Sequence, residues 1–188
     1  MRLILIAMLA SLFFSQSAAA QSSNDPLDTR IFKNGWWVGG GVGWSDVDAD
    51  DVILDDDSVG FNVGLGYQFL NYFGVNVRYR NLGEFSDSIN PGSSSVDVDI
   101  DGWTGGLTAG YPISKRIAPV IGLGYYDFDF DADSGIEDND SQGLYVSAGI
   151  ATQIGRIVVQ PNFIWYDVDD YDLLGAEINF FWKFETGN

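Results

Sequence analysis

Hydrophobic and polar positions alternate along most of this chain. In "SVGFNVGLGYQF", Val59, Phe61, Val63, Leu65, Tyr67 and Phe69 share one face, and Ser58, Gly60, Asn62, Gly64, Gly66 and Gln68 share the other. A period of two belongs to a β-strand, whose successive side chains point to opposite sides. The pattern predicts eight strands, at 36–46, 58–69, 73–83, 97–111, 118–130, 142–154, 157–168 and 172–184, and no helix of useful length. The sixth strand opposes Leu144, Val146, Ala148 and Ile150 to Gly143, Tyr145, Ser147, Gly149 and Gln153. The eighth opposes Leu174, Ala176, Ile178, Phe180 and Trp182 to Glu177, Asn179 and Lys183.

The connections alternate too. "LNYF", "PISKRI" and "IGRI" are short, whereas "DVDADDVILDDDS", "EFSDSINPGSSSVD" and "DADSGIEDND" are long and acidic. Short turns at one end and long loops at the other predict an all-β fold, an eight-stranded antiparallel up-and-down transmembrane β-barrel with its loops outside the cell. Apolar faces turned inward would overfill so small a barrel, so they are expected to face lipid while small and polar residues fill the interior. Only a closed barrel satisfies every backbone group of strands in hydrocarbon.

Aromatic residues are then expected in two interfacial belts. Trp36, Trp37, Tyr67, Phe69, Tyr72, Phe73, Tyr111, Trp182 and Phe184 fall near the short turns, and Trp44, Tyr126, Phe128, Trp165 and Tyr166 near the loops. The stretch "YYDFDFDAD" poses a difficulty, because Phe128 and Phe130 are out of phase with the outward set Ile121, Leu123 and Tyr125. Either a bulge near Tyr125 and Tyr126 shifts the register, or the strand projects above the membrane with both faces wet. A similar change is expected near Gly102, where Asp97, Asp99 and Asp101 give way to Trp103, Leu107 and Ala109.

Composition adds export and charge to this picture. Arg2, the run "LILIAMLASLFF" and the small residues of "SQSAAAQS" read as a secretory signal over 1–20, cleaved after Ala20. Residues 21–34 read as a flexible leader, 35–184 as the barrel and 185–188 as a C-terminal tail. The full chain carries 9 basic and 27 acidic residues; loss of Arg2 with the signal leaves 8 against 27, a net −19. Such a charge repels nucleic acid phosphates, so no nucleic-acid partner is expected. The chain has no Cys, so stability rests on packing and hydrogen bonds. Lys115, Arg116 and Arg156 occupy the short turns, while almost all the Asp residues lie in or beside the loops.

Two groups of charged residues are candidates for a specific role. Arg78 and Arg80 share the polar face of the third strand, and a lipid-facing arginine at mid-bilayer would cost about 2–4 kcal/mol. They are expected in the lumen, where Glu177 is the acidic residue placed to pair with one of them. Asp129, Asp131, Asp133 and Asp140 have the opening and closing spacings of a calcium loop. Ser134, however, stands where the turn glycine belongs, and strands flank the segment. No cofactor is expected; the acidic clusters read either as a solvated rim that aids solubility in transit or as loose captors of Ca2+ or Mg2+.

The strands "GWWVGGGVGW" and "PVIGLGYYDF", the run "VNVRYRNLGEFSD" and the last strand "INFFWKF" resemble the small outer-membrane β-barrel proteins related to the transmembrane domain of outer membrane protein A and to opacity-type porin-like proteins. The resemblance covers 35–184 and implies outer-membrane lipid, lipopolysaccharide and the barrel assembly machinery as partners. It implies assembly recognition through Phe180, Trp182 and Phe184, with "ETGN" following them and no peptidoglycan-binding module expected. Outer-membrane enzymes of this size typically rely on His, which this chain lacks, so no catalytic residue is expected. The expected function is structural, in envelope integrity; surface binding or passage of a small solute is the alternative.

Overall fold

The computed structural model describes residues 34–48, 55–69, 72–87, 96–132, 139–168 and 171–185. Residues 1–33, which contain the expected signal and nearly all of the leader, lie outside them. Eight strands follow one another: β1 (Gly35–Asp48), β2 (Asp55–Phe69), β3 (Phe73–Asp87), β4 (Val96–Gly110), β5 (Ile117–Ala132), β6 (Asn139–Ile154), β7 (Ile157–Val168) and β8 (Tyr171–Glu185). Each pairs antiparallel with its neighbour in sequence, and β1 pairs with β8, so the sheet is a closed up-and-down barrel without an edge. Most strands extend past their expected ends on the loop side.

The barrel is inside out, as the alternation predicts. Val59 is 74% exposed and Phe163 72%, while Asn62, Asn162 and Asn179 are buried. Apolar groups on the outside of a barrel with a polar interior are at home in hydrocarbon, which supplies the solvent that water cannot. β6 and β7 are joined by a two-residue turn in which Gly155 takes φ 65°, the kind of conformation that two-residue hairpins demand. The β6–β7 pairing lapses between Gly149↔Asn162 and Thr152↔Val159 without a change of register, beside Pro161, which has no N–H to contribute.

One bulge breaks the alternation. In β3 the register against β4 shifts between Asn81 and Gly83, Gly83 has φ 95°, and its N–H donates to Asn81 Oδ1 at 3.1 Å. Below the shift the even residues Arg78 and Arg80 face inward; above it Phe85 does, and Glu84 faces out. An extra residue thus flips the face presented, which a strand without a bulge cannot do.

The difficulty in β5 resolves differently from either expectation. Its pairing with β4 and β6 runs without a shift from Ile117 to Ala132. Tyr126 and Phe128 therefore point into the lumen, where both are fully buried, while Asp127, Asp129 and Asp131 are exposed. β4 likewise keeps one phase across Gly102, so that Asp99 and Asp101 lie on the same outer face as Trp103. What changes there is the surroundings of the outer face, from lipid to water.

Candidate functional site

The lumen is filled in three layers. At the short-turn end Trp37 lies against Phe181, ring centroids 4.6 Å apart, above Ala118, Val120, Ala151 and Val158. At the loop end Leu82, Phe85, Ile100, Tyr126, Phe128, Tyr166 and Leu173 pack into a second apolar cluster. Between the two lies a buried polar layer centred on Glu177.

Alternation on four different strands aims side chains at this carboxylate. Glu177 Oε2 accepts from Arg80 Nη1 of β3 at 2.5 Å and from Asn62 Nδ2 of β2 at 3.0 Å. Its Oε1 accepts from Asn179 Nδ2 of β8 at 2.7 Å and from Asn162 Nδ2 of β7 at 3.3 Å. Arg80 Nε also donates to Thr104 Oγ1 of β4 at 3.1 Å. Arg78 Nη1 stands 3.6 Å from Glu177 Oε1, and its guanidinium carbon lies 4.9 Å from the Phe181 ring centroid and 5.4 Å from that of Trp37. Thus the two arginines differ: Arg80 is held by charge-assisted hydrogen bonds, Arg78 chiefly by ring faces and a longer Coulomb contact. A cavity of about 20 Å³ adjoins Arg80, Asn62, Tyr166 and Glu177, with Gly43, Gly60 and Gly175 leaving the room. It is about the size of one water molecule.

Sequence reasoning placed Arg78, Arg80 and Glu177 on inner faces, and the structure brings all three together. It did not single out Asn62, Asn162, Asn179 or Thr104 as partners, although all four lie in the inner phase of their strands. It also assigned Trp37, Tyr126, Phe128 and Tyr166 to the membrane-interface belts, and these need correction. Each occupies an inward phase; Tyr126, Phe128 and Tyr166 are at most 1% exposed. The uninterrupted alternation of β5 was the available signal. The interior therefore holds large rings as well as small and polar groups. The glycines opposite make room, since a Cβ at Gly66 would strike the Trp37 ring and one at Gly124 or Gly106 would strike Tyr145.

The candidate metal residues occupy another place, on the outer face near the loops. Asp129 stands opposite Asp101 on β4 and Asp140 on β6; Asp131 stands opposite Asp99; Asp133 lies outside the described residues. Asp129 and Asp140 thus belong to an antiparallel ladder that forms a row of like charges. Among the described residues no group of three or more acidic side chains is gathered closely enough to hold a metal ion. Above the lipid-facing wall, the Asp129 carboxyl titrates higher than usual, through desolvation first, then the charge of Asp140 and a hydrogen bond with it.

A family model described as "Outer membrane protein beta-barrel domain" matches residues 6–180. Comparison with curated proteins finds no match. Among solved structures, the attachment invasion locus protein Ail of Yersinia pestis, in complex with the heparin analogue sucrose octasulfate, is similar at 18% identity and a TM-score of 0.56, over 81% of this chain and 99% of that one. Neisserial surface protein A is similar at 15% identity and 0.61, over 80% and 97%. OprG of Pseudomonas aeruginosa is similar at 16% and 0.59, over 82% and 98%. At such identities the likeness is one of fold.

Proposed function

The chain belongs to the outer membrane protein beta-barrel domain family, and from that premise we propose that it is a non-enzymatic barrel with a sealed interior that serves envelope integrity. The observation that carries this reading is the layered filling of the lumen. A conducting pore needs a continuous wet path, whereas here two apolar plugs bracket the polar layer around Glu177. Eight strands leave an interior that side chains can fill. The absence of His and Cys from the chain removes the commonest general base and every thiolate nucleophile. The buried Glu177 is bonded to asparagines and arginines rather than set beside a second carboxylate, as paired acid–base work requires.

Two measurements test the proposal. Purified barrel inserted in planar lipid bilayers is expected to give no discrete conductance steps, and deletion of the gene is expected to sensitise cells to detergents and large antibiotics. Stable single-channel steps would overturn the sealed interior; a deletion strain as resistant as its parent would overturn the envelope role.

Although no three of its carboxylates converge on one point, the row Asp101–Asp129–Asp140 favours a second reading, in which the summed negative field of the outer rim attracts a cationic partner or loosely held Ca2+ or Mg2+. Its sign opposes the polysulfated ligand found with Ail, so that ligand class does not carry over. Calorimetric titration with CaCl2 and MgCl2 tests it: heat that disappears in an Asp129→Asn, Asp140→Asn variant supports the rim, and heat unchanged in that variant removes it.

A further inference from the structure

The charges of this protein are segregated along the barrel axis. Around the loop end stand Asp46, Asp57, Glu84, Asp99, Asp101, Asp127, Asp129 and Asp140, among others. The opposite end reverses the sign. The β4–β5 turn holds Lys115 and Arg116, the β6–β7 turn holds Arg156, and neither turn contains an acidic residue. Glu185, the carboxylate ending β8, pairs in register with Gly35 of β1, not with either turn.

β5 and β6 hold these two turns side by side. Gln153 N–H donates to the Arg116 carbonyl at 2.9 Å, Ile117 stands opposite Thr152, and Ile154 opposite Ile157. All three basic side chains are exposed, and no ion pair involves them among the described residues. Directly beside them are apolar groups that a water-facing turn would not carry: Ile113 is 63% exposed and Ile154 66%. With Ile117 and Ile157 they continue the lipid-facing wall of β5, β6 and β7 down to the level of the basic groups.

Cations above an apolar band match an anionic headgroup above its acyl chains, and arginine's planar fork suits phosphate oxygens. We propose that the rim formed by the β4–β5 and β6–β7 turns docks anionic phospholipid of the periplasmic leaflet, with Lys115, Arg116 and Arg156 on the phosphate and the isoleucines against the chains. The inference rests on the outer-membrane reading, which places the short turns at the periplasmic surface. A soluble periplasmic polyanion would satisfy the charges but leave the isoleucines unused. The acidic end repels the same headgroups, so the preference belongs to one leaflet. Three basic residues near an anionic headgroup correspond to roughly hundredfold selectivity at low ionic strength, falling with salt.

The test is native mass spectrometry of the full chain, exported, recovered from the outer membrane in detergent and offered equal amounts of phosphatidylglycerol and phosphatidylcholine. The wild type is expected to retain phosphatidylglycerol by a large factor. A Lys115→Gln, Arg116→Gln, Arg156→Gln variant, verified as folded by its mobility unboiled, is expected to retain both lipids equally. Equal retention by the wild type, or a preference that survives in the variant, overturns the proposal. So does displacement of the lipid by millimolar glycerol phosphate, which would mark a soluble-anion site. Headgroup selectivity is independent of conductance and of deletion phenotype, so failure here and failure of the sealed-barrel reading are distinguishable.

Discussion

Glu177 accepts hydrogen bonds from Asn62, Arg80, Asn162 and Asn179, side chains of four strands. Removing its charge would leave two buried guanidiniums without a counter-charge, and uncompensated buried charge costs about 3–5 kcal/mol. Glu177→Gln is therefore expected to lower the unfolding free energy of the refolded barrel by that order, read as a lower urea midpoint. A double-mutant cycle is expected to give a larger coupling for Arg80 with Glu177 than for Arg78, which has ring faces as well; equal couplings would contradict the geometry. At the rim, the raised Asp129 carboxyl binds its proton more readily folded than unfolded. Its contribution to stability is full below the ordinary aspartate value and is lost as pH rises through the raised one. Compared with Asp129→Asn, the wild type is expected to gain stability as pH falls through that window, and parallel pH profiles for the two would refute it. The pairing of an inner-face Arg with Glu177 was readable from phase. Which arginine sits closer was not, because strand position says nothing of how the long side chains cross the lumen.

The bulge in β3 is the device that matters most at the level of elements. It turns Phe85 into the upper plug and Glu84 outward, and it depends on Gly83 at φ 95°, where L side chains are strained. A Cβ there would also meet Ser58 Oγ and the Val59 carbonyl. Gly83→Ala is expected to destabilise the barrel by about 1–3 kcal/mol, measured as a lower urea midpoint; an unchanged midpoint would show that the bulge can relax without glycine. The bulge was not legible, because "RNLGEFSD" alternates poorly on either side of Gly83 and one inserted residue leaves no compositional mark. The bulge near Tyr125 and Tyr126, one of the two alternatives the sequence offered, is absent, since β5 runs in register with both neighbours throughout.

For the whole molecule, closure through β1 and β8 leaves no free edge from which unfolding can start. The barrel is expected to stay folded in unboiled detergent samples and to migrate differently from boiled ones. Identical mobility would argue against a closed, detergent-resistant sheet. The axial separation of charge belongs to this scale as well. The acidic loop end and the basic turn end give the barrel a polarity along the membrane normal, which its net charge of −18 conceals.

The sequence by itself determined the strand count, the order of short and long connections and the outward apolar face. Each of these follows from a period of two, which needs no knowledge of distant partners. It also determined that Arg78, Arg80 and Glu177 face inward. Tertiary structure alone decided that Tyr126, Phe128 and Tyr166, drawn from two strands, pack against one another into a plug, and that Asn62, Asn162 and Asn179 complete the bonding of Glu177. Those outcomes depend on which side chains meet across the barrel, and that is set by the stagger of eight strands on closing, a quantity no single strand contains.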